Sequence, residues 1–238
     1  MQFHRIAAAF AWLALVPSAF AEDVARLLPK DGAWARFHWH EHWNDGVERS
    51  LYITIKAAGA KFVNNEAHRW VEIKIQSEEP LMKGTGAAFK FLVTQDELSS
   101  SSDFIANAVE IWRNSPMQDG AVENLKDEPR VKDNPRLYIL FFPWLSGRIR
   151  GAADLTERQA VAWQKGQLAC RTVEGMVDEK FTFDHIRGRC RLALHPDVPF
   201  GVAAARLQVG IAEGDEGTVT VSLVDYGEGA RSDLPDVK

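Results

Sequence analysis

The feature that most constrains the fold of this chain is the alternation of apolar and polar residues with a period of two. Leu51 to Lys56 and Arg69 to Gln76 both show it, and similar short runs return from Gln159 to Val224. Such alternation is typical of half-buried β-strands. The turn signals Asn44-Asp45-Gly46 and Asn64-Asn65 separate the early runs, and these residue types tolerate positive φ. The sequence therefore predicts an antiparallel meander.

The middle of the chain predicts one main amphipathic helix. Apolar residues recur at helical spacing from Asp103 to Trp112, and the preceding serines 99–102 can cap its first turn. Leu137 to Trp144 is strongly apolar and fits a buried strand or a segment that lines a groove. The expected fold class is α+β, with a curved, mostly antiparallel β-sheet and the 103–112 helix packed on its concave face. We expect one domain over 22–226 and an irregular C-terminal tail over 227–238.

The N-terminus resembles a secretory signal. His4 and Arg5 precede the apolar run Ile6 to Val16, and Ala19-Phe20-Ala21 supplies a small-x-small cleavage pattern. We expect cleavage between Ala21 and Glu22, a periplasmic or extracellular location, and a soluble mature chain. The sequence has 28 basic and 33 acidic residues, which argues against nucleic acid as a partner.

Two cysteines, Cys170 and Cys190, lie in the exported part of the chain. An even number of cysteines in an oxidising compartment favours a disulfide. The sequence therefore predicts a Cys170–Cys190 bridge between two strand-like runs. The alternative is a pair of buried thiols that behave as small hydrophobic side chains.

The run from His38 to Trp43 places three histidines on one face of a strand. His38 and His40 are ~7 Å apart in such a strand, so both can contact one metal ion if a third ligand comes from elsewhere. Imidazole suits zinc and copper. The competing interpretation is the polar face of an amphipathic strand, with no cofactor.

The opposite face of the same strand is aromatic. Phe37, Trp39 and Trp43, together with Trp112 of the expected helix, can line a groove for an apolar ligand. The alternative is that these rings form the hydrophobic core, where large aromatic side chains are usually found.

Other motifs are weaker, and none identifies a catalytic residue. Gly84-Thr85-Gly86 lacks the strand and helix that flank a phosphate loop, and Ser146-Gly147 lacks the nucleophile-elbow pattern. Arg187, Arg189 and Arg191 share one strand face and can either receive an anion or remain solvated.

The signal, the antiparallel sheet, the inserted helix and the final strands after His195-Pro-Asp-Val-Pro-Phe-Gly-Val202 resemble exported proteins with the lipoprotein-carrier-like fold. The resemblance is one of layout. It implies a curved, half-open sheet that covers helices and forms an apolar groove, and it assigns no functional residue.

The first functional hypothesis is a non-enzymatic binding or carrier protein of the cell envelope with a lipid-like ligand. The alternatives are a metal-binding protein or metal-dependent enzyme that uses His38 and His40, and a structural envelope component without a ligand. Partners under these hypotheses are lipids or envelope proteins.

Overall fold

The computed structural model describes residues 28–78, 86–94, 96, 104–114, 122–128, 131, 133–145, 149–211 and 215–234. The expected signal segment, its Ala21–Glu22 cleavage site and the serines expected to cap a helix lie outside the described residues.

Eleven strands and two helices make up the described part of the chain. The elements in order are β1 Trp34–Trp43, β2 Glu48–Val63, β3 Glu66–Ser77, β4 Ala88–Val93, α1 Phe104–Asn107, β5 Glu110–Asn114, β6 Val122–Asn124, α2 Pro135–Leu145, β7 Arg150–Trp163, β8 Gly166–Lys180, β9 His185–Leu194, β10 Val202–Gly210 and β11 Glu216–Gly227.

All the strands join in one antiparallel sheet in the order β6-β5-β4-β3-β2-β1-β11-β10-β9-β8-β7. Each half of the chain is a meander, and the two halves meet where the first strand pairs with the last. The crossover between the two meanders carries α2. This architecture confirms the expected α+β class with a mostly antiparallel, open sheet.

The sheet has an inner face that packs on α2 and an outer face that points away from it. Along β1 the inner residues are buried and the outer ones are half-buried or exposed, so the alternation in the sequence is realised in the structure. The inner core continues through Ile53 and Ile55 of β2 and through Val219 and Val221 of β11.

The position of the main helix was predicted wrongly. The 103–112 segment gives only the single turn α1, after which Ile111 and Trp112 pair with β4 as part of β5. The 11-residue helix is α2, in the apolar run expected to be a strand or groove lining. Backbone pairing with β4 outweighs the helical spacing of the apolar residues in the first segment.

Local signals explain why α2 begins where it does. The Asn134 side chain accepts a hydrogen bond from the Leu137 N–H at 3.0 Å, which caps the helix. Pro135 follows as the first helical residue, where its missing N–H has no cost. Phe141 packs edge-on against Phe89 and Phe91 at centroid distances of 5.6 and 5.4 Å. Trp144 reaches the ring of Phe37 at 4.8 Å.

The predicted disulfide is wrong. Cys170 and Cys190 are both buried and are not joined. In the β8–β9 ladder, Cys190 lies opposite Gly175, which is five residues beyond Cys170 along β8. That offset places the two cysteines ~16 Å apart along the strands, whereas a disulfide requires Cα atoms within about 7 Å.

We therefore expect two titratable thiols per chain in the unfolded protein under non-reducing conditions. In the native protein both thiols should react slowly, because both side chains are buried and burial raises the pKa of the Cys170 thiol. Titration with a chromogenic disulfide reagent, with and without denaturant, measures both quantities. Recovery of a Cys170–Cys190 cross-linked peptide from the purified protein would contradict this register.

The residues after β11 pack on the outer face, and we call 228–234 the C-terminal strap. The Asp233 N–H donates to Glu72 Oε1 at 2.9 Å, and Lys56 Nζ bridges Glu72 and Asp233 at 2.9 Å each. Glu72 is fully buried beneath it. The strap thereby closes one part of the outer face with a charged cluster.

None of the described helices is both long and apolar enough to cross a membrane.

Candidate functional site

A cavity lies at the end of the sheet where β1 begins and β11 ends. Its volume is about 790 Å³, and we call it the end cavity. Its walls come from the segment before β1, the β7–β8 hairpin, the β9–β10 loop and the end of β11. The lining residues are Pro29, Lys30, Ala33, Arg158, Ala169, Arg171, Leu194 to Gly201, Tyr226, Gly227 and Glu228.

Strand pairing explains why a space remains there. The β8–β9 ladder ends at the pair Arg171 and Leu194, so the hairpin tip beyond it is not hydrogen-bonded to β9. The tip instead contacts β11. The ring of Trp163 contacts that of Tyr226 at a centroid distance of 4.5 Å, and the Gln164 N–H donates to the Val224 carbonyl at 3.0 Å. The hairpin thus spans a gap that β9 and β10 leave at this end.

The β9–β10 loop forms one wall and has a fixed shape. Its backbone is closed by hydrogen bonds from His195 N–H to the Gly201 carbonyl at 2.9 Å and from Gly201 N–H to the Val198 carbonyl at 2.8 Å. Phe200 is buried and has a φ of 64°, a conformation that costs energy for a non-glycine residue. This loop contains the Val-Pro-Phe-Gly stretch on which the fold resemblance partly rested.

Charged side chains stand around the apolar wall. Lys30, Arg158 and Arg171 supply three cations, and Asp197 and Glu228 supply two carboxylates. Arg171 pairs with Asp154 at 3.2 Å, whereas within the described residues Lys30 and Arg158 form no ion pair. The arrangement suits a ligand with an apolar body and a polar end.

A smaller cavity of about 210 Å³, the inner cavity, lies at the opposite end of β1 beneath the start of α2. Trp39 and Trp43 line it, and both indole N–H groups are buried without a hydrogen-bond partner among the described residues. Glu41 also lines it and pairs with Arg49 at 3.1 Å.

The four aromatic residues predicted to bind a ligand do not share one groove. Phe37, Trp39 and Trp43 are buried in the core, and the ring of Trp144 covers Phe37. Trp112 is half-buried on the outer face, where its indole N–H donates to Glu110 at 3.2 Å. The structure brings Trp39 and Trp43 together at the inner cavity and leaves the other two elsewhere.

The histidines lie on the outer face, as their spacing predicted, and each has a partner of its own. His38 Nε2 is 3.0 Å from Glu78 and His40 Nδ1 is 3.1 Å from the Ser50 hydroxyl. His42 pairs with Glu48 at 3.0 Å. Within the described ranges no three histidine, cysteine or carboxylate side chains converge as metal ligands. A zinc or copper ion on His38 and His40 stays a prediction, which elemental analysis of the purified protein tests.

Sequence reasoning missed the end cavity. Arg158 and Arg171 come from the β7–β8 hairpin and Tyr226 from β11, and no local pattern links them. The only available signal was the Val198-Pro199-Phe200-Gly201 stretch, which forms part of the wall.

Neither a protein-family model nor a curated protein sequence matches the chain. Solved structures with a similar layout include a Bacteroides fragilis protein, described as exported, with a YmcC-like fold. The alignment has 10% identity and a TM-score of 0.41, and it covers 86% of this chain and 100% of the other.

A protein from Parabacteroides distasonis, described as a lipoprotein, aligns at 10% identity and a TM-score of 0.39 over 83% of this chain and 96% of its own. A LolA superfamily protein from Nitrosomonas europaea aligns at 11% identity and a TM-score of 0.36 over 91% and 92%. The lipoprotein-carrier-like layout is thus present among these structures. At such identities and scores, these structures assign no function to this chain.

Proposed function

We propose that the protein is an exported, non-enzymatic binding or carrier protein of the cell envelope that holds a lipid-like ligand in the end cavity. The observation that carries the proposal is the end cavity itself. Its volume of about 790 Å³ lies within the range of roughly 300–1,000 Å³ that is usual for small-molecule sites.

The wall chemistry supports an amphiphilic ligand. Leu194, Pro199 and Tyr226 are half-buried and provide apolar surface that a ligand can cover, whereas Ala33, Val198 and Phe200 are buried within the wall. Burial of apolar ligand surface contributes about 25 cal/mol per Å² before the costs of association. Lys30, Arg158 and Arg171 are exposed side chains of the cavity wall. They can pair with an anionic end of the ligand while that end stays in contact with water.

The expected groove between sheet and helix is not the site in this proposal. Phe141 and Trp144 of α2 pack into the inner face, where the rings of Phe37, Phe89 and Phe91 meet them. The ligand is assigned instead to the end of the sheet, where the β7–β8 hairpin tip leaves space.

The test is a cavity-filling substitution. Ala169 lines the end cavity and is exposed to it, so Ala169→Phe occupies part of its volume. We expect Ala169→Phe to weaken the binding of a dansyl-labelled undecanoic acid about tenfold or more, equivalent to a loss of about 1.4 kcal/mol. Fluorescence titration of the delipidated protein measures the affinity.

The matched control is Ala153→Phe, an exposed position on β7 outside the end cavity. It should bind the probe as the parent protein does. Equal affinities of the parent and both variants for the probe would contradict a binding site in the end cavity. The absence of binding to the parent would overturn the proposal.

A further inference from the structure

The outer face of the sheet carries arginines that the proposed ligand site does not use. Arg191 of β9 and Arg206 of β10 lie directly opposite one another in the antiparallel ladder. Arg189 follows on the same face of β9, two residues from Arg191 and opposite Gln208. Directly opposed cross-strand residues have Cβ atoms roughly 4.5–5.5 Å apart, so the two guanidinium groups share one region of the surface.

Opposed like charges destabilise a sheet unless something compensates them. Within the described residues, Arg189, Arg191 and Arg206 form no ion pair. The carboxylate nearest in register is Glu174, opposite Arg191 on β8, and no salt bridge joins them. The Arg191 Nε–H is also shielded from solvent without a hydrogen-bond partner in the described part of the chain. The three arginines therefore have hydrogen-bond donors that are available to a ligand, in a chain whose net charge is −5.

On the β11 side, the residues in register with these arginines are polar and uncharged. Arg206 lies opposite Thr220 of β11, and Thr220 lies opposite His40 of β1. Near the start of β9, Arg187 is engaged by Asp178 at 3.7 Å and belongs to a separate ion-pair group with His185.

We infer that Arg189, Arg191 and Arg206 form an outer-face binding site for a phosphate-class oxyanion. Arginine presents a planar array of donors that matches phosphate oxygens, and two facing guanidinium groups relieve their repulsion by sharing one anion. The phosphate comes either from the headgroup of an anionic lipid or from free phosphate. Its lipid form would hold the outer face of the protein against a membrane surface. This inference is independent of the end cavity.

The experiment compares the parent with Arg191→Gln/Arg206→Gln. The parent should co-sediment with vesicles of phosphatidylcholine mixed with phosphatidylglycerol and should not bind phosphatidylcholine alone. In the double variant, vesicle affinity at low salt should fall roughly 30-fold, since each basic residue near an anionic surface contributes about fivefold. The control Arg113→Gln/Arg150→Gln removes the same charge from arginines already paired with Glu123 and Asp178, and it should retain most of the binding.

A second measurement separates the two phosphate sources. Inorganic phosphate should raise the unfolding temperature of the parent and leave that of Arg191→Gln/Arg206→Gln unchanged. In phosphate-free buffer the double variant should be at least as stable as the parent, because the opposed charges are gone. Vesicle binding identifies a lipid source, and a phosphate response without vesicle binding identifies a free oxyanion.

The inference is overturned if the parent responds to neither probe, or if its response is unchanged in Arg191→Gln/Arg206→Gln. None of these three arginines lines the end cavity, so the double variant should still bind the dansyl-labelled fatty acid. That result distinguishes a failure of the oxyanion site from a failure of the proposed ligand cavity.

Discussion

Replacing Trp144 with alanine is expected to destabilise the fold by about 3–5 kcal/mol, the range typical for removal of a buried tryptophan. Trp144 is fully buried near the end of α2, and its ring lies 4.8 Å from Phe37 and 6.3 Å from Trp39. Its removal leaves a cavity between the helix and β1. Urea denaturation followed by intrinsic fluorescence and circular dichroism measures the loss.

The matched control is Trp112→Ala, which removes the same side chain from a half-buried position near the sheet edge. We expect that variant to lose less than half as much stability. Equal losses in both variants would contradict the packing of α2 on the inner face, because Trp144 would then contribute no more than a surface ring.

Replacing Lys56 with methionine is expected to cost about 3–5 kcal/mol, because Glu72 would remain as a buried carboxylate without its cation. Glu72 keeps hydrogen bonds from Ser232 and Asp233, but these are neutral donors. Burial alone would raise the pKa of Asp233, but Lys56 and Lys74 outweigh it and hold that pKa below its ordinary value. Denaturant unfolding of the variant measures the effect.

The double variant Lys56→Met/Glu72→Met separates an unpaired charge from lost packing. It should recover most of the stability, since replacing both members of a buried pair by apolar groups is often neutral. A loss below about 1 kcal/mol in Lys56→Met would contradict the placement of the C-terminal strap over a buried ion pair, given the usual cost of stranding a buried charge.

Local patterns predicted the strands and turns well, because those elements depend on neighbouring residues. The Asn44-Asp45-Gly46 turn joins β1 to β2, and Asn64 and Asn65 turn with φ values of 51° and 66°. The two faces of β1 also follow its alternation.

The main helix was predicted in the wrong segment because the prediction used only the spacing of apolar residues. The 104–112 segment has helical spacing, but the Val109 N–H bonds to the Leu92 carbonyl at 3.0 Å and the chain continues as β5. The 137–144 run lacks the polar face of an amphipathic helix because α2 is covered on most sides, and Pro143 lies inside the helix. Asn134 and Pro135 are the local signal that would have favoured a helix there.

The end cavity and the cysteine register depend on long-range pairing, which no local pattern contains. The cavity exists because the β8–β9 ladder stops at Arg171 and Leu194 while the hairpin tip reaches Tyr226. The cysteines lie on neighbouring strands but are offset by five residues along them. The expected oxidising compartment and the even number of cysteines favoured a disulfide, which this strand register does not allow.

The most direct test of the proposed function is native mass spectrometry of the protein purified without detergent from the cell envelope. We expect an adduct whose mass matches an apolar or amphiphilic small molecule, retained in Ala153→Phe and lost or strongly reduced in Ala169→Phe. A bare polypeptide mass in the parent protein, or an adduct that persists equally in Ala169→Phe, would contradict a ligand site in the end cavity.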